Sequence, residues 1–119
     1  MHTPQDEESK RLPFEEAASG AVGLETLLPA ALRLYHAQML DLPTLFRVMS
    51  LNPAKRLGLP AGRLKAGAPA DLVLFDPNKP FVLSRFELLS KSKNTPFDEA
   101  RMQGKVHRTF VGGIEVFAQ

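Results

Sequence analysis

The stretch ADLVLF at residues 70–75 decides the architecture, because it is an almost continuous apolar run in an otherwise mixed sequence. It follows a segment rich in glycine and proline at residues 62–69 and precedes Asp-Pro-Asn at residues 76–78. Apolar residues at both odd and even positions are typical of a strand that is covered on both faces. The sequence therefore predicts a buried strand here, with a shorter strand at residues 81–83.

The C-terminal residues predict a β-hairpin. Residues 105–111 and 114–117 flank Gly112 and Gly113, and two glycines suit a primed turn because both tolerate positive φ. Residues 84–103 show no regular period and are predicted to be irregular. Only three or four strands are visible, so the edges of their sheet would lack partners. This imbalance indicates that the chain is part of something larger or associates with a copy of itself.

The first half of the chain has helical periodicity. Apolar residues recur at spacings of three and four from Leu24 to Met39, which predicts an amphipathic helix. Pro29 is compatible with this helix only if it lies in the first turn, so the helix should begin near Glu25 or Thr26.

Two further helices are predicted downstream. Asp41 is a good N-cap for one of them, with Pro43 in its first turn. Asn52 and Pro53 form another N-cap and N1 pair, and the short helix that they begin would end at Gly58 as a left-handed C-cap. Residues 1–23 read as loop. The order is therefore helices first and strands second, an α+β arrangement.

Length and composition exclude several classes of protein. The chain has 119 residues, whereas a complete (β/α)₈ barrel needs about 250. It has no cysteine, which rules out disulfides and thiolate metal sites, and no apolar run long enough to span a membrane. The net charge is only +2, and no basic stripe with interleaved aromatics suggests nucleic-acid binding. The acidic N-terminus is unlike a signal peptide, so a cytoplasmic protein is expected.

Residue patterns alone name no reaction. The three histidines are His2, His36 and His107, and none has a second histidine two or four residues away, so no pair of metal ligands is visible. Neither a Gly-x-Ser-x-Gly elbow nor a Walker loop is present. Gly20 and Gly23 precede a predicted helix, where free backbone amides could hold an anion or the chain could simply turn.

Several segments taken together resemble the C-terminal third of a class I dihydroorotase, a member of the amidohydrolase superfamily. Two of them, NPAKRLGL at 52–59 and ADLVLFD at 70–76, also look like hydantoinases and allantoinases. Two others, VGLET at 22–26 and SKSKNTPF at 90–97, are more specific to dihydroorotases. The resemblance covers essentially the whole chain.

The resemblance implies a fold made of a (β/α)₈ barrel and a small β-sandwich that both chain ends build. Residues 1–59 would supply the last barrel loop and the C-terminal helices of the barrel. Residues 60–119 would supply the C-terminal part of the composite sandwich. On this interpretation, the strands that the sheet lacks are N-terminal strands outside this chain.

The resemblance also implies a reaction, the reversible cyclisation of N-carbamoyl-L-aspartate to dihydroorotate in pyrimidine biosynthesis. The family uses one or two zinc ions, and an aspartate in an Asp-His-Ala-Pro-His motif acts as general acid or base. Residues 1–4 match the end of that motif, with Met1 where proline would be. No metal ligand and no catalytic residue of the family falls within this chain, so residues 1–119 are expected to be inactive alone.

Three residues are expected to bind substrate. His2 matches the histidine that contacts the substrate carboxylate by a charge-assisted hydrogen bond. Ser19 and Gly20 match a loop whose backbone touches the same carboxylate, although Ser19 departs from the aromatic residue often found there.

Alternatives remain open at this point. The chain could be a non-catalytic dihydroorotase-like module that associates with a partner such as aspartate transcarbamoylase, or part of a related cyclic amidase such as a hydantoinase. Because the orphan strands and apolar helix faces need cover, a homodimer or larger assembly is also expected.

Overall fold

The structure, a computed structural model, describes residues 2–119 and divides them into a helical half and a sheet. Met1, at the beginning of the motif match, lies outside the described residues. In chain order the α-helices and strands are α1 (Glu7–Lys10), α2 (Leu27–His36), α3 (Leu42–Phe46), α4 (Asn52–Arg56), β1 (Leu72–Val82), β2 (Arg101–Val111) and β3 (Ile114–Ala118), and a 3₁₀ turn (Arg85–Glu87) lies between β1 and β2. The three strands form one antiparallel sheet in the order β1-β2-β3. The α+β arrangement is therefore confirmed, whereas the prediction that residues 1–23 are loop is wrong at α1, because the Asp6 carboxylate caps a short helix there.

Helix α2 begins where the position of Pro29 requires. Thr26 is its N-cap residue and Pro29 is the third helical residue, so the missing N–H of the proline costs no helical hydrogen bond. The helix ends at His36, three residues earlier than predicted, because Gln38 adopts a left-handed conformation with φ 57°. Met39, predicted to continue the apolar stripe, is instead 69% exposed.

Helices α3 and α4 form one continuous helical segment, which corrects the prediction of a separate helix capped by Asn52. A π-helical turn at Arg47–Leu51 joins them, and the Asn52 N–H donates to the Arg47 carbonyl. Pro53 has no N–H to offer the fourth residue before it, and the wider turn accommodates that loss. The predicted cap at Asp41 is confirmed, since its carboxylate accepts from the Thr44 N–H at 2.8 Å.

The end of α4 has the predicted glycine cap. Gly58 has φ 67°, and its N–H donates to the Lys55 carbonyl at 3.2 Å. The Leu59 N–H donates to the Ala54 carbonyl at 2.8 Å. These two bonds are the Schellman pattern, which satisfies the free carbonyls of the last helical turn.

Strand β1 is longer and more exposed than the sequence predicts. It continues through residues 76–78 to Val82, because shifts of register between Leu74 and Phe75 and between Asp76 and Pro80 absorb the extra residues opposite β2. The two predicted strands are thus one bulged strand. Leu74 is 57% exposed, so residues 2–119 do not provide the predicted cover on both faces.

The predicted C-terminal hairpin, β2 and β3, forms at the two glycines, although β2 begins at Arg101, four residues before the predicted start. Gly112 and Gly113 have φ 57° and 82°, the paired positive values that a type I′ turn needs. The Gly112 N–H also donates to the Asp71 carboxylate at 2.8 Å, which ties the turn to the residues before β1.

The core lies where α2 and the preceding loop meet the sheet. Leu32 of α2 is completely buried against β2. A neighbouring cluster joins Val22, Leu83, Leu88 and Met102, so the loop before α2 packs directly on β2 and on residues that follow β1. None of the helices formed by residues 2–119 is long and apolar enough to cross a lipid bilayer.

Candidate functional site

The N-terminal segment lies along the loop that precedes α2 and brings His2 beside it. The Thr3 N–H donates to the Ala21 carbonyl at 2.8 Å, and the Gly23 N–H donates to Nδ1 of His2 at 3.0 Å. With Nδ1 as acceptor, the neutral imidazole carries its proton on Nε2. The ring is exposed and Nε2 has no protein partner among residues 2–119, which leaves this nitrogen available to an acceptor outside the chain.

Gly20 lies in this loop at a position that only glycine can occupy. Its φ is +123°, in a region that other residues rarely adopt. A Cβ built there would lie 2.7–2.9 Å from side-chain and backbone atoms of Thr3. The close approach of Thr3 therefore requires glycine at residue 20.

The carbonyl groups of the loop are bound by other parts of the protein. The Ser19 carbonyl accepts from Nε2 of Gln5 at 3.2 Å, and the Gly20 carbonyl accepts from Nζ of Lys10 at 3.2 Å and Nδ2 of Asn94 at 3.3 Å. Within the described part of the chain, the N–H groups of Ser19 and Gly20 donate to no acceptor. At Ser19 and Gly20 the loop therefore directs its carbonyl groups to the protein and leaves its N–H groups available.

A cleft of about 650 Å³ adjoins the loop. Gly20 lines it, whereas His2 and Ser19 do not, so the three predicted site residues belong to one loop region but not to one cavity. The charged residues around the cleft are Lys10, Arg11, Arg85, Lys91 and Lys93 together with Asp6 and Glu7. Cations outnumber carboxylates, so the cleft attracts anions.

One carboxylate at the edge of the cleft is held in its charged form. The Ser9 N–H donates to Asp6 at 2.7 Å and the Ser9 hydroxyl donates at 2.8 Å, which caps α1. These bonds, the backbone bond first, lower the pKa of Asp6 below its ordinary value of 3.8. The negative charge of Asp6 is therefore already hydrogen-bonded within the protein, by Ser9.

No cluster of metal-ligating side chains lies within the described part of the chain. Residues 2–119 contain no group of three or more histidine, aspartate or glutamate side chains that could hold a metal ion. His36 instead contacts the Pro77 carbonyl through Nε2 at 2.9 Å and joins α2 to the bulge of β1. His107 lies within β2, so the three histidines are on separate elements. The zinc that the resemblance implies thus finds no ligand set in this part of the chain.

Comparison with known proteins assigns the family. The model of the amidohydrolase family matches residues 12–116, nearly the whole chain. The chain belongs to the amidohydrolase family. The resemblance inferred from the sequence segments is therefore confirmed at the level of the family.

Relatives of this amidohydrolase chain include proteins named dihydroorotase. One from Wolbachia sp. subsp. Drosophila simulans (strain wRi) is 42% identical over 118 residues, which are 99% of this chain and 27% of that protein. One from Trichlorobacter lovleyi is 44% identical over 117 residues, 98% of this chain and 28% of that protein. The chain thus spans just over a quarter of the length of these curated relatives.

The solved structures that are similar to this amidohydrolase chain include hydantoinases. The L-hydantoinase (dihydropyrimidinase) from Arthrobacter aurescens matches with a TM-score of 0.82 and 34% identity, over 87% of this chain and 24% of that one. The similarity supports the arrangement of helices and antiparallel sheet described above.

The sequence did not predict the residues that bind the carbonyl groups of the Gly20 loop. Asn94, Lys10 and Gln5 bind its carbonyl groups, and only Asn94 belongs to a segment that the sequence had singled out. Their contacts join residues up to 74 positions apart, and no local pattern reports such a pairing. In the sequence, Gly20 before the predicted helix was the available signal that this loop has an unusual backbone conformation.

Proposed function

We propose that this chain is the C-terminal part of a dihydroorotase, which interconverts N-carbamoyl-L-aspartate and dihydroorotate in pyrimidine biosynthesis. The observation that carries the proposal is identity of 42% and 44%, across almost all of this chain, to two proteins of that name. The contact between the two segments that resemble dihydroorotases more specifically, 22–26 and 90–97, adds support: the Val22 N–H donates to the Asn94 carbonyl at 3.0 Å.

The proposed division of the chain follows its two halves. Residues 1–59 supply the last loop and the final helices of a (β/α)₈ barrel, and residues 60–119 supply strands of a β-sandwich that is completed by strands outside this chain. Exposed apolar side chains on the sheet support this division, with Ile114 70% and Val116 59% exposed. Such surface is normally covered in a folded protein.

The proposed role of this chain in the reaction is to bind the carboxylate of the substrate. The free N–H groups of Ser19 and Gly20 and the Nε2–H of His2 would donate to the carboxylate oxygens. Hydrogen bonds to an ionised acceptor are roughly twice as strong as neutral ones, so three such donors select strongly for an anionic ligand.

Zinc enters the proposal through the family and not through these residues. The described part of the chain supplies no ligand set, so the metal would be held by the barrel residues of the full enzyme. Binding and positioning are therefore the roles proposed for residues 2–119, and no turnover is expected from them in isolation. A homo-oligomeric, cytoplasmic enzyme remains a prediction.

A hydantoinase is the second candidate, favoured by the 34% identity and TM-score of 0.82 to the Arthrobacter aurescens enzyme. The two candidates differ in the substrate, because dihydroorotate carries a carboxylate on its ring and hydantoin does not. The available donors around Gly20 favour the anionic substrate.

The decisive experiment is an assay of the full polypeptide that contains residues 1–119 with dihydroorotate and with hydantoin. We expect hydrolysis of dihydroorotate, and we expect His2→Ala to raise its KM about tenfold, since a charge-assisted hydrogen bond is lost. His107→Gln, a change at a histidine of β2 far from the loop in sequence, is the matched control and should leave KM within twofold. Turnover of hydantoin without turnover of dihydroorotate would replace the first candidate by the second.

A further inference from the structure

Asn94 joins the N-terminal segment to the Gly20 loop through three hydrogen bonds. Its Oδ1 accepts from the Gln5 N–H at 3.2 Å, and its Nδ2 donates to the Gly20 carbonyl at 3.3 Å. Its main-chain carbonyl accepts from the Val22 N–H at 3.0 Å. One half-buried side chain thus contacts two segments that lie 74 and 89 positions away along the sequence.

The segment that carries Asn94 is itself anchored. The Glu25 carboxylate accepts from the backbone N–H groups of Leu89 at 3.0 Å and Ser90 at 3.2 Å. Leu88 is buried in the same cluster as Val22, and Nζ of Lys93 donates to the Leu88 carbonyl at 2.5 Å. Asn94 therefore contacts the Gly20 loop from a supported position.

The contacts of Asn94 determine the direction of the loop donors. Gln5, whose N–H is held by Asn94, binds the Ser19 carbonyl through its side chain. The Ser19 carbonyl and the Gly20 N–H belong to one trans peptide unit, in which C=O and N–H point in opposite directions. Holding the carbonyl toward the protein therefore directs the Gly20 N–H away from it. The bond from Nδ2 to the Gly20 carbonyl then fixes the next peptide unit.

We propose that Asn94 is a positioning residue that holds the Gly20 loop with its amide donors directed at the substrate carboxylate. This inference rests on the proposed function, because it assigns the loop donors to the carboxylate of dihydroorotate. Asn94 does not touch the substrate; it acts through Gln5 and the Gly20 carbonyl. Asn94 belongs to the segment at 90–97 that resembles dihydroorotases, and its contacts indicate the positioning role proposed here.

The test compares Asn94→Ala with Asn78→Ala. The first change removes both side-chain bonds and keeps the main-chain bond to Val22. Asn78 is exposed on β1, and only its backbone atoms take part in hydrogen bonds within the described residues, so its replacement controls for loss of an amide side chain.

The first measurement uses the full enzyme and two ligands, dihydroorotate and dihydrouracil, the same ring without a carboxylate. We expect Asn94→Ala to raise the KM of dihydroorotate about tenfold and to leave the inhibition constant of dihydrouracil within twofold, as the loss of about one oriented donor predicts. Asn78→Ala should change neither value. A merely structural role would weaken both ligands equally, and that result, like no change in KM, would overturn the inference.

The second measurement separates this inference from the proposed function. Amide hydrogen exchange in the full enzyme reports the contacts of Asn94 directly, and we expect the Gln5 N–H, which loses its acceptor Oδ1, to exchange about tenfold faster in Asn94→Ala and at the wild-type rate in Asn78→Ala. An unchanged rate at Gln5 would refute the positioning role whatever the enzyme does. Faster exchange in a protein without dihydroorotate turnover would instead refute the proposed function and the assignment of the donors to its substrate.

Discussion

Gly104 on β2 lies directly beneath Leu32 on α2, and a Cβ at residue 104 would overlap Cδ1 of that leucine. Leu32 is completely buried, and Gly104 has φ +104°. The absence of a side chain at one residue thus lets α2 approach the sheet closely enough to bury the other. This contact packs α2, and with it the helical half of the chain, against the sheet.

Gly104→Ala should destabilise the chain by about 2–4 kcal/mol. The new methyl group overlaps Leu32, and alanine is strained at positive φ, so overpacking and backbone strain add. Urea unfolding followed by circular dichroism measures the change in the free energy of unfolding.

Gly67→Ala is the matched control for the overlap with Leu32. Gly67 also has positive φ, at +81°, but no atom lies within 4 Å of the position a Cβ would take. It should cost only about 1 kcal/mol, the strain without the overlap. If the two variants lose the same free energy of unfolding, the overlap with Leu32 is not the reason that residue 104 requires glycine.

Asp41 should contribute to stability in a pH-dependent way. Bonds from Thr44, the side-chain bond first and the backbone bond next, lower the pKa of Asp41 below its ordinary value of 3.8. Because the folded-state pKa is depressed, the stabilisation is present above pH 3.8 and disappears as the pH falls through the folded-state value.

The variant that tests this pH dependence is Asp41→Ala. Its free energy of unfolding should lie below that of the wild type at neutral pH, and the difference should shrink toward zero in strong acid. Asp41→Asn keeps an acceptor for the cap but has no charge to titrate, so it should show less of the acid-dependent loss. A difference between wild type and Asp41→Ala that stays constant with pH would argue against the cap as its origin.

Glu25→Ala should release the segment that carries Asn94. Without the carboxylate, the N–H groups of Leu89 and Ser90 lose their acceptor, and we expect both amides to exchange about tenfold faster or more. Glu15→Ala is the control, because Glu15 is exposed and makes no side-chain hydrogen bond or ion pair within residues 2–119. Unaltered exchange at Leu89 would mean that the segment is held by Leu88 packing alone.

Lys10→Met should weaken the binding of dihydroorotate by the full enzyme. Nζ of Lys10 donates to the Ala18 carbonyl at 2.7 Å and to the Gly20 carbonyl at 3.2 Å, and methionine keeps most of the stem without the donor. We expect KM to rise about fivefold. Lys79→Met, on the exposed part of β1, removes the same charge elsewhere and should have no such effect. If both variants raise KM alike, general charge and not the loop contact is responsible.

Local signals predicted the elements well where one residue type dictates the backbone. Pro29 determined where α2 begins, and Gly58 and the glycine pair at residues 112–113 marked a helix end and a turn. The same reasoning failed at Pro53. Local rules place a helix start at such a proline, but the π turn before it lets the helix continue through a residue that has no N–H.

Long-range pairing limited the prediction of the strands and of the site. The sequence at residues 76–78 predicts the end of a strand, yet β1 continues through these residues because it pairs with β2 on both sides of them. The resemblance identified His2, Ser19 and Gly20, and their contact with substrate remains a prediction. It did not identify Asn94 or Gln5, since their contribution exists only where distant segments meet.

By itself, the sequence determined the order of α2, α3 and the strands, the caps at Asp41 and Gly58, the glycine turn, and the resemblance that the family match confirms. These features depend on interactions between residues a few positions apart, and the types of those residues determine the interaction energies. The tertiary structure decided the bulged length of β1, the approach of Leu32 to Gly104 and the direction of the amides around Gly20. Those features depend on which distant atoms come into contact, and packing selects the contacts only when the whole chain is folded.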